Sequence, residues 1–233
     1  MKRRAWLLPT VLVAAVLALP GPSATAATTP TVTITADKAG YTAGGSADLT
    51  IRTTGSGSGK YIQVSETFAN GKTYVLLKKS SSADGVRHVE AAVAYNVTVK
   101  ATIYDTYAST KVVASGTAVI KVRAKLTTAS RGGGSQSGSY RVYSKGTSPT
   151  FRSSDYPSYP GKRCLKHQVQ RFRDGAWRTV LTGSCKVEAS NGKVDWKWAG
   201  KHASNVKFRV RATFAGDKLN RPANAPWTYV MFR

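Results

Sequence analysis

Histidine occurs three times in these 233 residues, and acidic side chains eleven times against 35 Lys and Arg. The three histidines, His88, His167 and His202, fall in separate segments, and no G-x-S-x-G, H-E-x-x-H or paired-carboxylate cluster accompanies them. That scarcity argues against general acid/base catalysis and hard-metal ligation, both of which need several such groups to converge. No enzyme, cofactor or metal reading is drawn from it. There are two cysteines and no C-x-x-C, so thiol redox chemistry is not expected either. Long apolar runs are equally rare. The single one, Trp6 to Leu19, is shorter than the roughly 20 residues that a membrane-spanning helix needs.

That run follows Lys2, Arg3 and Arg4 and precedes the small residues Ala24-Thr25-Ala26, which together read as a secretory signal peptide, 1–26, cleaved after Ala26. Arg3-Arg4 also loosely fits a twin-arginine leader, although general secretion is the simpler route. The expected product is extracellular, without a lipid or transmembrane anchor, and loosely associated with the cell envelope.

Beyond the leader, Val, Ile, Thr and Tyr alternate with polar residues and helix-period patterns are missing, so the fold is expected to be all-β. Thr127 to Ser139, TTASRGGGSQSGS, reads as a Gly/Ser-rich linker, 127–139, between units at 27–126 and 140–233. In the first, segments near Val32–Ile34, Ala47–Ile51, Tyr61–Phe68, Thr73–Lys78, Val86–Ala94, Val97–Tyr104 and Val112–Val122 give seven short strands. Two tandem immunoglobulin-like β-sandwiches are the economical reading. Charge divides unevenly: residues 27–130 hold 12 bases and 6 acids, whereas 131–233 hold 20 and 5. A functional use of charge is therefore expected in the C-terminal half.

An exported chain with two cysteines is expected to pair them, Cys164 with Cys185. The geometry agrees. Asp174-Gly175 suits a type I′ hairpin between Leu165–Arg173 and Trp177–Thr182. Cross-strand partners then sum to 349, which makes the cysteines a directly opposed, non-hydrogen-bonded pair with Cα atoms about 4.5 Å apart. A bulge near Gly183 would shift that register. Closing the loop should contribute about 3 kcal/mol.

Two features are candidates for binding. In KFRVRATFAGD, Lys207, Arg209 and Arg211 alternate with Phe208, Val210 and Ala212, so the bases share a solvent face and could hold a polyanion, with Lys162 and Arg163 as further cations. In the loop from Ser153 to Arg163, Tyr156 and Tyr159 are held by prolines and could stack on sugars or bases, or fold back over the sandwich edge. Trp196 and Trp198 share a face with Val194 and are expected in the core. Asp217 after Gly216 reads as a turn residue, and the sequon at Asn96 carries little weight inside a strand.

The stretch Phe208 to Asp217, followed by Asn220 and an aromatic last strand, resembles the Y-x-V-x-A-x-Y-x-G-D strand of bacterial immunoglobulin-like domains, frequent in secreted and surface proteins of actinobacteria. The resemblance implies a fold and an extracellular setting but no activity. Two functional expectations follow. The leading one is a non-catalytic module associating with an anionic polysaccharide, wall polymer or extracellular nucleic acid through its basic C-terminal unit. The alternative is an adhesion, inhibitor or spacer protein recognising a protein or sugar ligand by its loops.

Overall fold

The computed structural model describes residues 29–80, 84–200 and 202–233. The leader expected at 1–26 lies outside them. Every regular element described is a strand, and these form two β-sandwich-like units.

The first unit contains β1 (Thr31–Ala36), β2 (Tyr41–Thr42), β3 (Gly45–Thr54), β4 (Tyr61–Phe68), β5 (Thr73–Ser80), β6 (Gly85–Val93), β7 (Val97–Tyr104), β8 (Val112–Ile120) and β9 (Val122–Arg123). A sheet of order β1-β3-β6 faces one of order β5-β4-β7-β8, and β2 pairs with β9 in parallel. Strand alternation sends Leu49 and Ile51 from one sheet and Ile62, Val64, Val99 and Ile103 from the other into a single core. Each such side chain, fully buried, stabilises the fold by about 1.5–3 kcal/mol before chain entropy is counted.

The second unit contains β10 (Lys125–Arg131), β11 (Ser135–Ser137), β12 (Tyr140–Tyr143), β13 (Thr150–Tyr156), β14 (Cys164–Arg173), β15 (Ala176–Thr182), β16 (Lys186–Val187), β17 (Lys193–Lys197), β18 (Lys207–Phe214), β19 (Ala223–Asn224) and β20 (Thr228–Phe232). A sheet of order β10-β13-β17 packs against β11-β12-β20-β18-β14-β15. Phe151, Val169, Val210, Val230 and Phe232 fill the space between, with Trp198 packed among them and Trp196 half-buried beside them, as the shared face with Val194 predicts.

The expected linker is a correction. Residues 125–131 pair along their whole length with β13, and 135–137 form a hairpin with β12, so the Gly/Ser-rich stretch is built into the second sheet system. Its composition misleads because its inward positions are small and polar. Thr128 Oγ1 lies 3.0 Å from Ser153 Oγ and accepts from the Ala212 N–H at 2.9 Å, while Ser153 Oγ lies 2.9 Å from His167 Nε2. A hydrogen-bonded layer thus replaces the apolar alternation that marks other strands. The passage between units is one residue long: Val122 is buried in the first core and Ala124 in the second, with exposed Arg123 between them.

Asp174 and Gly175 have φ of 51° and 74°, the left-handed values a type I′ turn requires. The predicted register holds from Arg173/Ala176 to Gln170/Thr179, including Phe172 opposite Trp177. Val180 is then an extra residue, Val169 pairs with Leu181, and the start of β14 turns to β16 instead of β15. The directly opposed cysteine pair is therefore a correction, yet Cys164 and Cys185 are joined, with Cα atoms 5.4 Å apart.

Candidate functional site

The outer face of the large sheet in the second unit carries the basic stripe. Alternation along β18 turns Phe208, Val210, Ala212 and Phe214 into the core and leaves Lys207 exposed, Arg209 and Arg211 half-buried on the opposite face. Aromatic rings from β12, β15 and the segment before β20 close over that row. The Arg209 guanidinium lies between two indoles, 4.6 Å from the Trp177 ring and 4.3 Å from that of Trp227. Arg211 also lies on Trp227, at 4.2 Å, and Lys207 stands 5.5 Å from the Tyr140 ring. Phe172, Tyr229 and Tyr140 extend the aromatic wall: Trp177 packs on Phe172 and Tyr229, and Tyr229 on Tyr140.

A polar circuit fixes the same guanidinium groups from the side. Arg209 donates through Nε and Nη2 to Gln170 Oε1, at 2.8 and 2.6 Å, and Arg211 Nε donates to Gln168 Oε1 at 3.0 Å. Both glutamines donate through Nε2 to Thr179 Oγ1. Register explains the match, because Gln168 and Gln170 lie directly opposite Arg211 and Arg209. Burial, followed by the charge of Arg209, lowers the pKa of Arg211 below its ordinary value.

No acid relieves that charge among the described residues. Each of the five carboxylates in 131–233 is committed elsewhere. Asp195 pairs with Arg152, Asp174 with Arg173, and Asp155 and Asp217 with Arg163. The fifth, Glu188, is buried beside Asp155: burial first, then the hydrogen bond to that carboxyl group, push it up to about 8. At neutral pH Glu188 is thus mostly neutral. The proton it holds supplies the donor that Asp155 Oδ1 and Glu188 Oε1 otherwise lack.

Arg163 is a correction as a surface cation. It is 1% exposed, donating to Asp155 at 2.6 Å, to Asp217 at 3.2 Å, to the Pro157 carbonyl at 2.6 Å and to Asn220 Oδ1. Its neighbour Lys162 stays exposed and lines a groove with Lys166 and Thr213, the next outward residue on β18 after Arg211. Four of the five predicted cations therefore share one side of the unit, and Lys166, which sequence reasoning missed, connects them. Its signal was alternation along β14, where Lys166 is exposed between buried Leu165 and His167.

The tyrosines do not make a free platform together. Tyr156 ends β13 instead of lying in a loop, and its ring covers Gly44 of the first unit, where a Cβ would come within 3.3 Å. Tyr159 is partly exposed, its N–H donating to Glu188 Oε2 at 3.0 Å. Asp217 is the predicted turn residue, Oδ1 accepting from Leu219 and Asn220 N–H at 2.8 Å each, and it also pairs with Arg163. Asn96 is committed to the junction, Oδ1 accepting from Val122 N–H at 2.8 Å and Nδ2 donating to the Lys218 carbonyl.

The described residues build no catalytic constellation. No group of three or more His, Cys, Asp or Glu among them is placed to hold a metal ion. His167 is stacked on Trp196 and desolvation lowers its pKa to about 4. His202 is packed between Trp198 and Phe232, 4.2 and 4.1 Å from their rings, and is lowered for the same reason.

Neither a family model nor a curated protein matches the chain. Solved structures do. The tetra-tandem repeat in the extending region of a large adhesion protein is 13% identical over 86% of this chain and 48% of its own, with a TM-score of 0.43. The Yersinia pseudotuberculosis adhesin InvE is 14% identical over 87% of this chain and 58% of its own, at 0.39, and the D0-D1 domain of Intimin 14% identical over 85% and 97%, at 0.32. The chain spans only about half the length of the first two. Likeness at this level carries no function from those proteins to this one.

Proposed function

We propose that the chain is a secreted, non-catalytic binding module of two immunoglobulin-like sandwiches, released by cleavage of residues 1–26, which holds an anionic polymer of the cell envelope or its surroundings on the outer face of β18. One observation carries the reading: Lys207, Arg209 and Arg211 stand in a row, the two arginines pre-ordered by indoles and glutamines, while every acid of that half is spent elsewhere. Ordering charged side chains before a ligand arrives lowers the entropic cost of binding. An unneutralised row of like charge favours an anionic partner.

A second reading, a spacer that presents its loops to a protein or sugar, draws support from the one-residue junction, which limits bending between the units. Stepwise salt washing of the native envelope separates the two. Charge-held protein elutes progressively as salt rises, whereas loop-held protein stays until the fold is disrupted. Retention at high salt would sink the first reading.

A further inference from the structure

We infer that the polymer is a phosphodiester chain, read edge-on by the guanidinium groups of the β18 face; this rests on the anionic-polymer reading above. Three features of the face lead there.

The indoles already carry guanidinium groups. Arg209 occupies a face of Trp177 and both arginines occupy Trp227, so the two largest rings on the sheet are engaged before any ligand arrives. A stacking platform for sugars or bases needs open rings. This face offers guanidinium edges instead.

Those edges are oriented. With indoles on Arg209 and its Nε/Nη2 side bound to Gln170, the donors left are the two N–H groups of Nη1 and the outer one of Nη2; Arg211 is held through Nε alone and keeps both terminal nitrogens. Paired in-plane N–H groups suit an anion that offers two oxygens. A lysine in their place would keep the charge and lose the fork.

The spacing selects among such anions. Cations at every second residue of a strand recur at about 6.8 Å. Lys207, Arg209 and Arg211 do so on β18, and Lys166, opposite Thr213, continues the line. A flexible phosphodiester backbone carries one charge per six or seven bonds, a comparable pitch, and can turn each phosphate toward the protein. A 1,4-linked polyuronate turns successive carboxylates to opposite sides, so neighbouring charges cannot all face one row.

The test uses the full mature chain and four probes of equal charge number at one low ionic strength: an abasic deoxyribose-phosphate oligomer, oligothymidylate, glycerol-phosphate oligomer and oligogalacturonate. The phosphodiesters should bind at least ~10-fold tighter than oligogalacturonate, the gain expected of well-matched charge-assisted forks. The abasic oligomer should equal oligothymidylate within about 2-fold, since open indoles would give each stacked base roughly 5-fold or more. The tighter of the two backbones, deoxyribose or glycerol, names the source of the polymer. Equal binding of oligogalacturonate overturns the phosphodiester inference and leaves the anionic-polymer reading standing. Oligothymidylate far tighter than the abasic oligomer overturns the edge-on geometry. No binding by any probe overturns both. The double variant Arg209→Lys/Arg211→Lys, which preserves charge, should lose about 10-fold toward the abasic oligomer with its salt dependence unchanged. Undiminished binding by a folded double variant would also overturn the inference.

Discussion

Asn220 accepts a hydrogen bond from the buried guanidinium of Arg163 through Oδ1, and its Nδ2 donates across to the Ala94 carbonyl of the first unit, 3.0 Å away. The charge cluster of the second sandwich is thereby tied to the backbone of the first. Leu219 and Arg221 add backbone bonds on either side, Asn96 N–H to Leu219 O at 2.6 Å and Arg221 N–H to Val122 O at 2.7 Å. Replacing Arg163 by Met would leave Asp155 buried without its cation and should destabilise the second unit by about 3–5 kcal/mol. Asn220→Ala should cost less, about 1–3 kcal/mol, because it strips hydrogen-bond partners from both units. Chemical denaturation of each variant checks the order; Arg163→Met as stable as the parent would refute the buried role.

The junction also fixes where the chain can be cut. A fragment of residues 124–233 keeps β10 and should unfold cooperatively, whereas 138–233 lacks one of the two partners of β13 and exposes the core side of Ser153 and Phe151. Circular dichroism melts of the two fragments decide the matter. A sharp, equal transition for 138–233 would mean that β10 contributes nothing.

Two buried groups give stability opposite pH slopes. His167 has a folded pKa near 4, below the ordinary 6.5, so its contribution is complete above pH 6.5 and is lost as pH falls toward 4, to a limit of roughly 3 kcal/mol. Glu188 is raised from 4.5 to about 8, so its contribution is complete below pH 4.5 and is lost as pH rises toward 8. Between pH 6.5 and 8 the Glu188 slope stands without opposition from His167, and stability should decline. Glu188→Gln should flatten that decline, and His167→Gln the loss on the acid side. Urea midpoints across pH 4 to 8 measure both; a Glu188→Gln profile that keeps the parent's decline would contradict the assignment.

The three bases of the stripe should differ in their effect on stability. Lys207→Gln removes a single distant ring contact on an exposed side chain and should leave the melting midpoint unchanged. Arg209→Gln removes contacts with two indoles and the fork to Gln170, and should cost about 1–2 kcal/mol. Equal midpoints for the two variants would show that the ladder does not stiffen the sheet.

Much of the fold was legible because apolar alternation is a strong signal. Tyr61–Phe68 and Val97–Tyr104 are strands at the residues expected, and the Asp174-Gly175 turn and the disulfide are present. β10 and β13 were not seen as strands because Thr128 and Ser153 face inward as hydrogen-bonding groups. At the site, period two placed Lys207, Arg209 and Arg211 on one face. It could not place Trp177 and Trp227 over them, since those contacts depend on which strands become neighbours in the sheet. Arg163 misled for the same reason: only the fold brings Asp155 and the Pro157 carbonyl together with the loop at Asp217–Asn220 as the partners that let a cation be buried.

The most direct measurement is the salt dependence of binding between the full mature chain and a single-stranded phosphodiester polymer. Four aligned cations, Lys207, Arg209, Arg211 and Lys166, predict a log-log slope of about −3, at roughly −0.7 per phosphate neutralised. Lys166→Gln/Lys207→Gln, which alters only exposed side chains, should halve that slope without lowering the melting midpoint. A double variant that binds with the parent's slope would contradict the account and leave the row as nothing more than the wet face of a strand.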